Sequence, residues 1–320
     1  MVKFKTLQKM VESQPLKRLS RRSFVRNSLY ASALGYLNTL PLGMPGDELI
    51  SLTILHTNDV HSRIDPFPMD SGRNAGQGGV AKRATMIDQI RQESQHVLLF
   101  DAGDMFQGTP YFNMFNGELE IKLMSQLGYD AGTIGNHDFD AGIDELSSQL
   151  RHANFPLIAS NYNFDDNAMY GKALRKKVFE VEEVKIGVYG LGIELKGLVP
   201  DILYKGTRYL DPLKVARQME DELIDEGCDY VICLSHLGYR YRSEKISDVV
   251  LASQSRYTDL IIGGHTHTFM KEPHIERNLK GEPVIINQAG FGGILMGRID
   301  LAFGKERKNK QINTVNLTVE

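Results

Sequence analysis

Five short motifs spread over about two hundred residues carry the side chains that could do chemistry: Asp59-Val60-His61, Gly103-Asp104, Gly135-Asn136-His137-Asp138, Ser235-His236 and Gly264-His265-Thr266-His267. Two divalent cations held about 3.5–4 Å apart can grip both the attacking and the leaving oxygen of an in-line phosphoryl displacement. Such a pair needs one bridging carboxylate, which neutralises charge, and several neutral imidazole or carbonyl donors, which add affinity without excess negative charge. Asp59 and His61 are two residues apart, as are His265 and His267, and in extended backbone such pairs face the same side. Asp104 follows an apolar run and a glycine and is well placed to bridge. Asn136 offers a neutral carbonyl oxygen, and His236 another imidazole. Five of the nine histidines fall inside these motifs. The other four, His56, His96, His152 and His274, are read as ordinary structural histidines.

The elements that must position these groups are legible as periodicities. Leu49 to Leu55, Val97 to Phe100, Ala131 to Ile134, Leu157 to Ala159, Tyr230 to Leu234 and Leu260 to Ile262 read as strands, several of them unbroken apolar runs typical of a buried sheet. Val80 to Gln95, Glu118 to Leu127, Asp144 to His152 and Asp211 to Glu226 read as helices. The last opens with an Asp-Pro N-cap and N1 pair and closes at Gly227. Val178 to Leu191 alternates and predicts antiparallel pairing. Pro283 to Ile286, Ile294 to Phe303 and a segment near Val315 add more strand, after a basic turn at Lys305 to Lys310. Most motifs sit just past a strand, where an open α/β sheet presents its chemistry. The middle alternates β and α and the end is strand-rich, which predicts a layered α/β sandwich. Residues 47–320 read as one large domain.

Composition narrows the function classes. The chain has 320 residues, 42% hydrophobic and 24% charged, with formal net charge −3. That balance gives no argument for a nucleic-acid polymer as partner. Cys228 and Cys233 lie five residues apart along a stretch predicted to be extended, which puts their Cα atoms roughly 16 Å apart and excludes a bond between them. Cys233 reads as a small apolar core residue. The Gly-rich stretch Ser71 to Gly79 precedes a helix N-terminus and could meet a phosphate through backbone amides. It lacks a full glycine fingerprint, so a flexible loop is the expectation. Tyr111 and Phe112, which follow Gly108-Thr109-Pro110, are expected to pack.

The first 46 residues read differently from the rest. Residues 1–26 hold eight Lys or Arg and one acid, Glu12, and include Ser20-Arg21-Arg22-Ser23-Phe24-Val25-Arg26. A mildly apolar stretch, Leu29 to Leu42, follows. This order resembles a twin-arginine export signal and predicts a periplasmic or extracytoplasmic protein. The apolar run is too short and too polar for a transmembrane helix.

Together the motifs resemble the calcineurin-like metallophosphoesterases. The flanks Ile54-Leu55-His56-Thr57-Asn58-Asp59-Val60-His61, Gly103-Asp104 followed by Gln107-Gly108-Thr109-Pro110, and Gly135-Asn136-His137-Asp138-Phe139-Asp140 are similar to the catalytic domain of the 5′-nucleotidase and UDP-sugar hydrolase branch. The resemblance implies a four-layer αββα sandwich. It implies one metal on Asp59, His61, Asp104 and His267 and a second on Asp104, Asn136, His236 and His265. His137 would stabilise or protonate the leaving oxygen, with Asp140 holding its ring. The reaction implied is hydrolysis of a phosphate ester, a nucleoside monophosphate or nucleotide sugar, by hydroxide that the metal pair makes available near neutral pH. Mixed nitrogen and oxygen donors without thiolate suit Mn, Zn, Fe or Co. The two-domain nucleotidases hold the base with a second, C-terminal domain, for which residues 47–320 leave no room. Base recognition is therefore not carried over. Alternatives within the same chemistry are a cyclic-nucleotide phosphodiesterase, a nucleotide-sugar pyrophosphatase or a sulfur-ester hydrolase. Another is the catalytic half of a split nucleotidase, completed by a separate base-binding partner protein. A binding protein that has lost catalysis is disfavoured by the full ligand set.

Overall fold

The computed structural model describes residues 49–304 and 310–320. Residues 1–46, where an export signal is expected, and most of the expected basic turn, residues 305–309, lie outside the described residues. Two sheets form the centre. A seven-stranded sheet runs, edge to edge, through Lys310–Thr318, Leu295–Phe303, Ile50–Thr57, Val97–Asp101, Ala131–Gly132, Leu157–Ile158 and Ala173–Leu174. A six-stranded sheet runs through His274–Arg277, Pro283–Asn287, Leu260–Gly263, Tyr230–Ser235, Val184–Leu191 and Lys176–Val181.

Side-chain alternation sorts each strand between two cores. Leu52 and Ile54 join Phe100, Ile299 and Phe303 from the first sheet and Ile186, Ile232, Leu234 and Ile262 from the second in one buried cluster between the sheets. Leu55 and Leu99 point the other way, into a cluster with Ile87 and Ile90 of helix Val80–Glu93 and Ile121 and Met124 of helix Glu118–Leu127. On the outer face of the second sheet, Val231 and Cys233 meet Val215, Met219 and Leu223 of helix Pro212–Asp225 and Leu251 of helix Asp248–Gln254. Three cores between four layers give the α/β sandwich expected from the sequence. Each buried Leu or Ile contributes about 1.5–3 kcal/mol relative to exposure, so register in these sheets is fixed by which face each strand must bury.

The helices end where local chemistry dictates. The Asp211 carboxylate accepts from the Leu213 and Lys214 amides at 3.0 and 3.2 Å, and Pro212 occupies the first turn. Cys228 and Cys233 are both buried and free. Two short helices, Pro110–Phe115 and Asp248–Gln254, and the edge strand His274–Arg277 are absent from the sequence-based reading. With four to seven residues each, they show too little of a period to be recognised. Among the described residues, no helix is long and apolar enough to cross a membrane.

The topology has one consequence for chemistry. Ile50–Thr57, Val97–Asp101 and Ala131–Gly132 are parallel neighbours, and so are Tyr230–Ser235 and Leu260–Gly263. Their carboxyl ends therefore open along one edge, and all five motifs follow those ends.

Candidate metal centre

Seven side chains named from the sequence converge at this edge. Asp59, His61 and His267 form one group whose donor atoms lie within 4.8 Å of one another, and Asp104, His236 and His265 form a second. Each group could hold a metal ion. Asn136 joins the second group, its Oδ1 2.8 Å from His265 Nδ1. Across the two groups, His236 Nε2 is 3.1 Å from Asp104 Oδ2 and 3.9 Å from Asp59 Oδ1. His61 Nε2 is 3.8 Å from Asp104 Oδ2, and His267 Nε2 is 3.3 Å from Asp59 Oδ1.

The backbone is bent hard to achieve this. Asp59, His61, Asp104, His265 and His267 all have positive φ, between 49° and 69°, a region that non-glycine residues enter at a cost of about 1–3 kcal/mol each. Cross-loop hydrogen bonds hold them there: the Asp59 amide donates to Gly103 O at 2.9 Å, the His61 amide to Asp104 O at 3.1 Å, and the Gly292 amide to Asp59 O at 2.7 Å. Gly135 is required by close approach, because a Cβ there would lie 2.2 Å from Asp104 Oδ1.

The imidazoles are oriented from behind. His236 Nδ1 faces Ala102 O at 2.7 Å, and His61 Nδ1 faces the Phe106 and Gln107 carbonyls at 3.2 and 3.1 Å. A carbonyl can only accept, so Nδ1 carries the hydrogen and Nε2 is turned toward the centre. His236 is fully buried, and its Nε2 has no aligned hydrogen-bond partner despite the nearby carboxylates. His61 Nε2 and His267 Nε2 point at each other across 3.0 Å. Imidazole nitrogens and two carboxylates crowded this closely favour positive charge among them. Burial opposes charge on His236, yet the Asp104 and Asp59 carboxylates lift its imidazole to about 10. Burial alone would raise Asp104, yet His236 and His61 hold it far below the usual carboxylate range. Burial, reinforced by His236, pushes His265 down to about 4. A donor set of carboxylates, an amide oxygen and imidazoles around a spot that favours positive charge fits a pair of divalent cations.

His137 stands beside this set, its ring centroid 5.3 Å from that of His61. Its Nδ1 is 2.7 Å from Asp140 Oδ2, and its amide donates to Asp104 Oδ1 at 2.8 Å. The Asp140 hydrogen bond is the main reason its imidazole is raised above the ordinary histidine value.

Sequence reasoning assigned no role to Asp138, the last residue of Gly135-Asn136-His137-Asp138. Its buried carboxylate receives the amides of Asp104, Met105, Phe106 and Gly135 at 3.0, 2.9, 3.2 and 2.7 Å. It therefore ties the loop carrying Asp104 to the loop carrying Asn136. Asn58 is a second such anchor: its amide nitrogen meets Asp59 Oδ2 at 2.6 Å and Gly290 O at 2.7 Å, and its Oδ1 accepts from the Ala289 amide. Both were visible only as neighbours of the ligand letters.

The remaining expectations are resolved as follows. His56, His96 and His274 pair with Asn287, Glu182 and Tyr239, outside the two groups, and His152 accepts from Arg151. Phe112 packs, stacked on Phe106, whereas Tyr111 reaches out to donate to Asp65 at 2.7 Å. The Ser71 to Gly79 stretch is pinned: the Phe67 amide donates to Gln77 O, the Gly76 amide to Phe67 O, and the Gly78 amide to Val319 O. Those amides are spent within the fold, and the stretch is an anchored loop.

With the geometry in place, comparison with known proteins decides the family. The model of the calcineurin-like phosphoesterases matches residues 52–269. The chain belongs to this family. Its relatives include the snake venom 5′-nucleotidase of Crotalus adamanteus, 38% identical over 79% of this chain and 45% of that protein. The 5′-nucleotidase of Homo sapiens is 33% identical over 81% of this chain and 47% of that protein. Among solved structures, the 5′-nucleotidase precursor from Thermus thermophilus superposes with a TM-score of 0.74 at 30% identity, covering 84% of this chain and 54% of that one. The chain spans about half the length of the relatives it matches. As a calcineurin-like phosphoesterase it is a phosphoric ester hydrolase by family.

Proposed function

We propose that this chain is a dimetal-dependent hydrolase of phosphate esters whose substrates are nucleotides, as the 5′-nucleotidase relatives suggest. The observation that carries the reading is the convergence of seven donors around one spot that favours positive charge. On this reading Asp59, His61, Asp104 and His267 hold one cation, and Asp104, Asn136, His236 and His265 the other. Asp104 bridges. When bound, the cations would neutralise charge on the phosphoryl oxygens and acidify a water toward neutral pH.

The chain's own residues do the rest. His137, whose imidazole the Asp140 hydrogen bond raises, would donate its Nε2 proton to the leaving oxygen as the P–O bond breaks, so that the alcohol leaves neutral. The Asp104 carboxylate, by accepting the His137 amide, fixes that ring relative to the centre. The test is turnover of a nucleoside monophosphate and an aryl phosphate by the metal-reloaded chain, with the chelated chain as control. Hydrolysis of both, abolished by chelation, is expected; turnover that survives chelation, or none in the reloaded chain, overturns the reading.

The paired arginines of the leader support export. Replacing Arg21 and Arg22 together by lysine is expected to strand the precursor in the cytoplasm, and undiminished secretion would refute the assignment.

A further inference from the structure

A cleft of about 310 Å³ opens directly beside the metal-ligand groups. His61, His137 and His267 line one side, and Arg63, Phe67 and Phe291 line another. The second wall is unlike the first. Phe67 and Phe291 meet edge to face at 6.0 Å, and Phe291 stacks on the His267 ring at 5.2 Å. The Arg63 guanidinium lies 4.2 Å over the Phe67 ring. Among the described residues it has no carboxylate partner and no hydrogen bond, so a flat face and an unpaired fork of N–H donors border the cleft.

This wall is held in place. Backbone bonds between Phe67 and both Gln77 and Gly76 fix the loop that carries it. Phe67 also rests on Gly292, where a Cβ would lie 2.8 Å from its ring, and the Gly292 amide is bonded to Asp59 O. The aromatic wall is thus tied to Asp59 through Gly292 and to His267 through Phe291, so it borders the centre directly.

We propose that the leaving group of the substrate occupies this cleft and that Arg63, Phe67 and Phe291 determine specificity by holding a planar, acceptor-bearing heteroaromatic ring, the chemistry of a nucleobase. The inference rests on the phosphoesterase reading and deepens it: the catalytic domain supplies its own base contact. Aromatic rings hold bases through their faces whatever the base, and a guanidinium both stacks and donates in one plane. The volume is that of an ordinary small-molecule site. An aliphatic leaving group would leave the arginine unpaired.

Two measurements test this. First, the metal-free chain is titrated calorimetrically with a nucleoside that carries no phosphate. Saturable one-to-one binding is expected, weakened on the order of tenfold in Arg63→Ala and in Phe67→Leu, with Arg63→Lys in between because it keeps charge and loses the plane. No binding by the unmodified chain overturns the inference, as does displacement by pyrophosphate but not by a nucleoside, which would make Arg63 an anion site. Second, kcat/KM is compared for a nucleoside monophosphate and ribose 5-phosphate, which share the ester and differ in the base. A preference of tenfold or more for the nucleotide, falling toward unity in Arg63→Ala, is expected. Equal efficiency in the unmodified enzyme sinks the base subsite and leaves the phosphoesterase reading standing. Absence of turnover on both esters sinks that reading, while the nucleoside titration still decides the subsite.

Discussion

His236 Nε2 approaches Asp104 Oδ2 to 3.1 Å across the seam between the two sheets. Asp104 follows strand Val97–Asp101 of the seven-stranded sheet, and His236 follows Tyr230–Ser235 of the six-stranded one. Neither sheet alone holds both residues, so the centre exists only when the sheets pack. Asp104 is also 3.8 Å from His61 Nε2 and accepts the His137 amide. One carboxylate thus touches both donor groups and the acid beside them.

That position predicts what its removal does. Asp104→Ala is expected to abolish hydrolysis and to leave at most one ion per chain by metal analysis. Two ions retained in this variant would remove Asp104 from the bridging role.

His137 predicts a different signature, because it contacts the centre without belonging to either donor group. His137→Ala is expected to keep both ions and lose on the order of 10²–10⁴ in kcat, the usual scale for an acid–base group. Asp140 acts through it. The Asp140 hydrogen bond raises the His137 imidazole, and an acid that must be protonated loses activity as pH rises through its pKa. Asp140→Asn should therefore move the alkaline limb of the kcat profile to lower pH. An unmoved limb would detach Asp140 from the proton transfer.

Asp138 carries a prediction about structure more than chemistry. Burial and the Asp104 charge push its carboxyl upward, yet four amide hydrogens converge on it. Only the ionised form offers acceptors to all of them. In Asp138→Asn the NH₂ group would oppose at least one amide, leaving a buried donor unsatisfied at about 1–3 kcal/mol. Lower unfolding stability in denaturant and lower metal occupancy are expected together. Full occupancy in a destabilised protein would show that the two ligand loops do not depend on this tie.

The contrast between Asp59 and Asp138 marks what the sequence makes legible. The proposed ligands announce themselves because few other roles bring Asp, Asn and His past strand ends in that order. The long helices and central strands are legible because each must bury one face for many residues. Asp138, Asn58 and the Arg63–Phe67 wall are not legible. Their roles depend on partners 33, 231 and 224 positions away, Met105 for Asp138, Ala289 for Asn58 and Phe291 for Phe67, and no local pattern encodes such separations. The positive φ of five ligand residues is equally silent, since nothing in Asp, Asn or His requires it and tertiary hydrogen bonds impose it.

His56 gives a prediction independent of the metals. It points between the sheets, fully buried, with Nε2 2.9 Å from Asn287 Nδ2 and its ring packed on Gly297. Asn287 donates, so the ring is neutral there, and burial pushes its pKa down to about 3. The sign follows from the two states. The unfolded histidine takes up a proton near 6.5 and the folded one does not until near 3, so the unfolded state binds more protons between those values and stability rises with pH. The contribution is fully present above about pH 6.5 and is lost as pH falls toward 3. At pH 4.5, two units below the unfolded value, the loss is about 2–3 kcal/mol. His56→Gln keeps an acceptor for Asn287 and removes the titration. Urea unfolding of the metal-free chain at pH 7 and 4.5 should show the unmodified protein losing more stability between these conditions than His56→Gln does. Equal losses would mean that His56 admits a proton or water in the folded state and that the sheets part there before the rest of the domain.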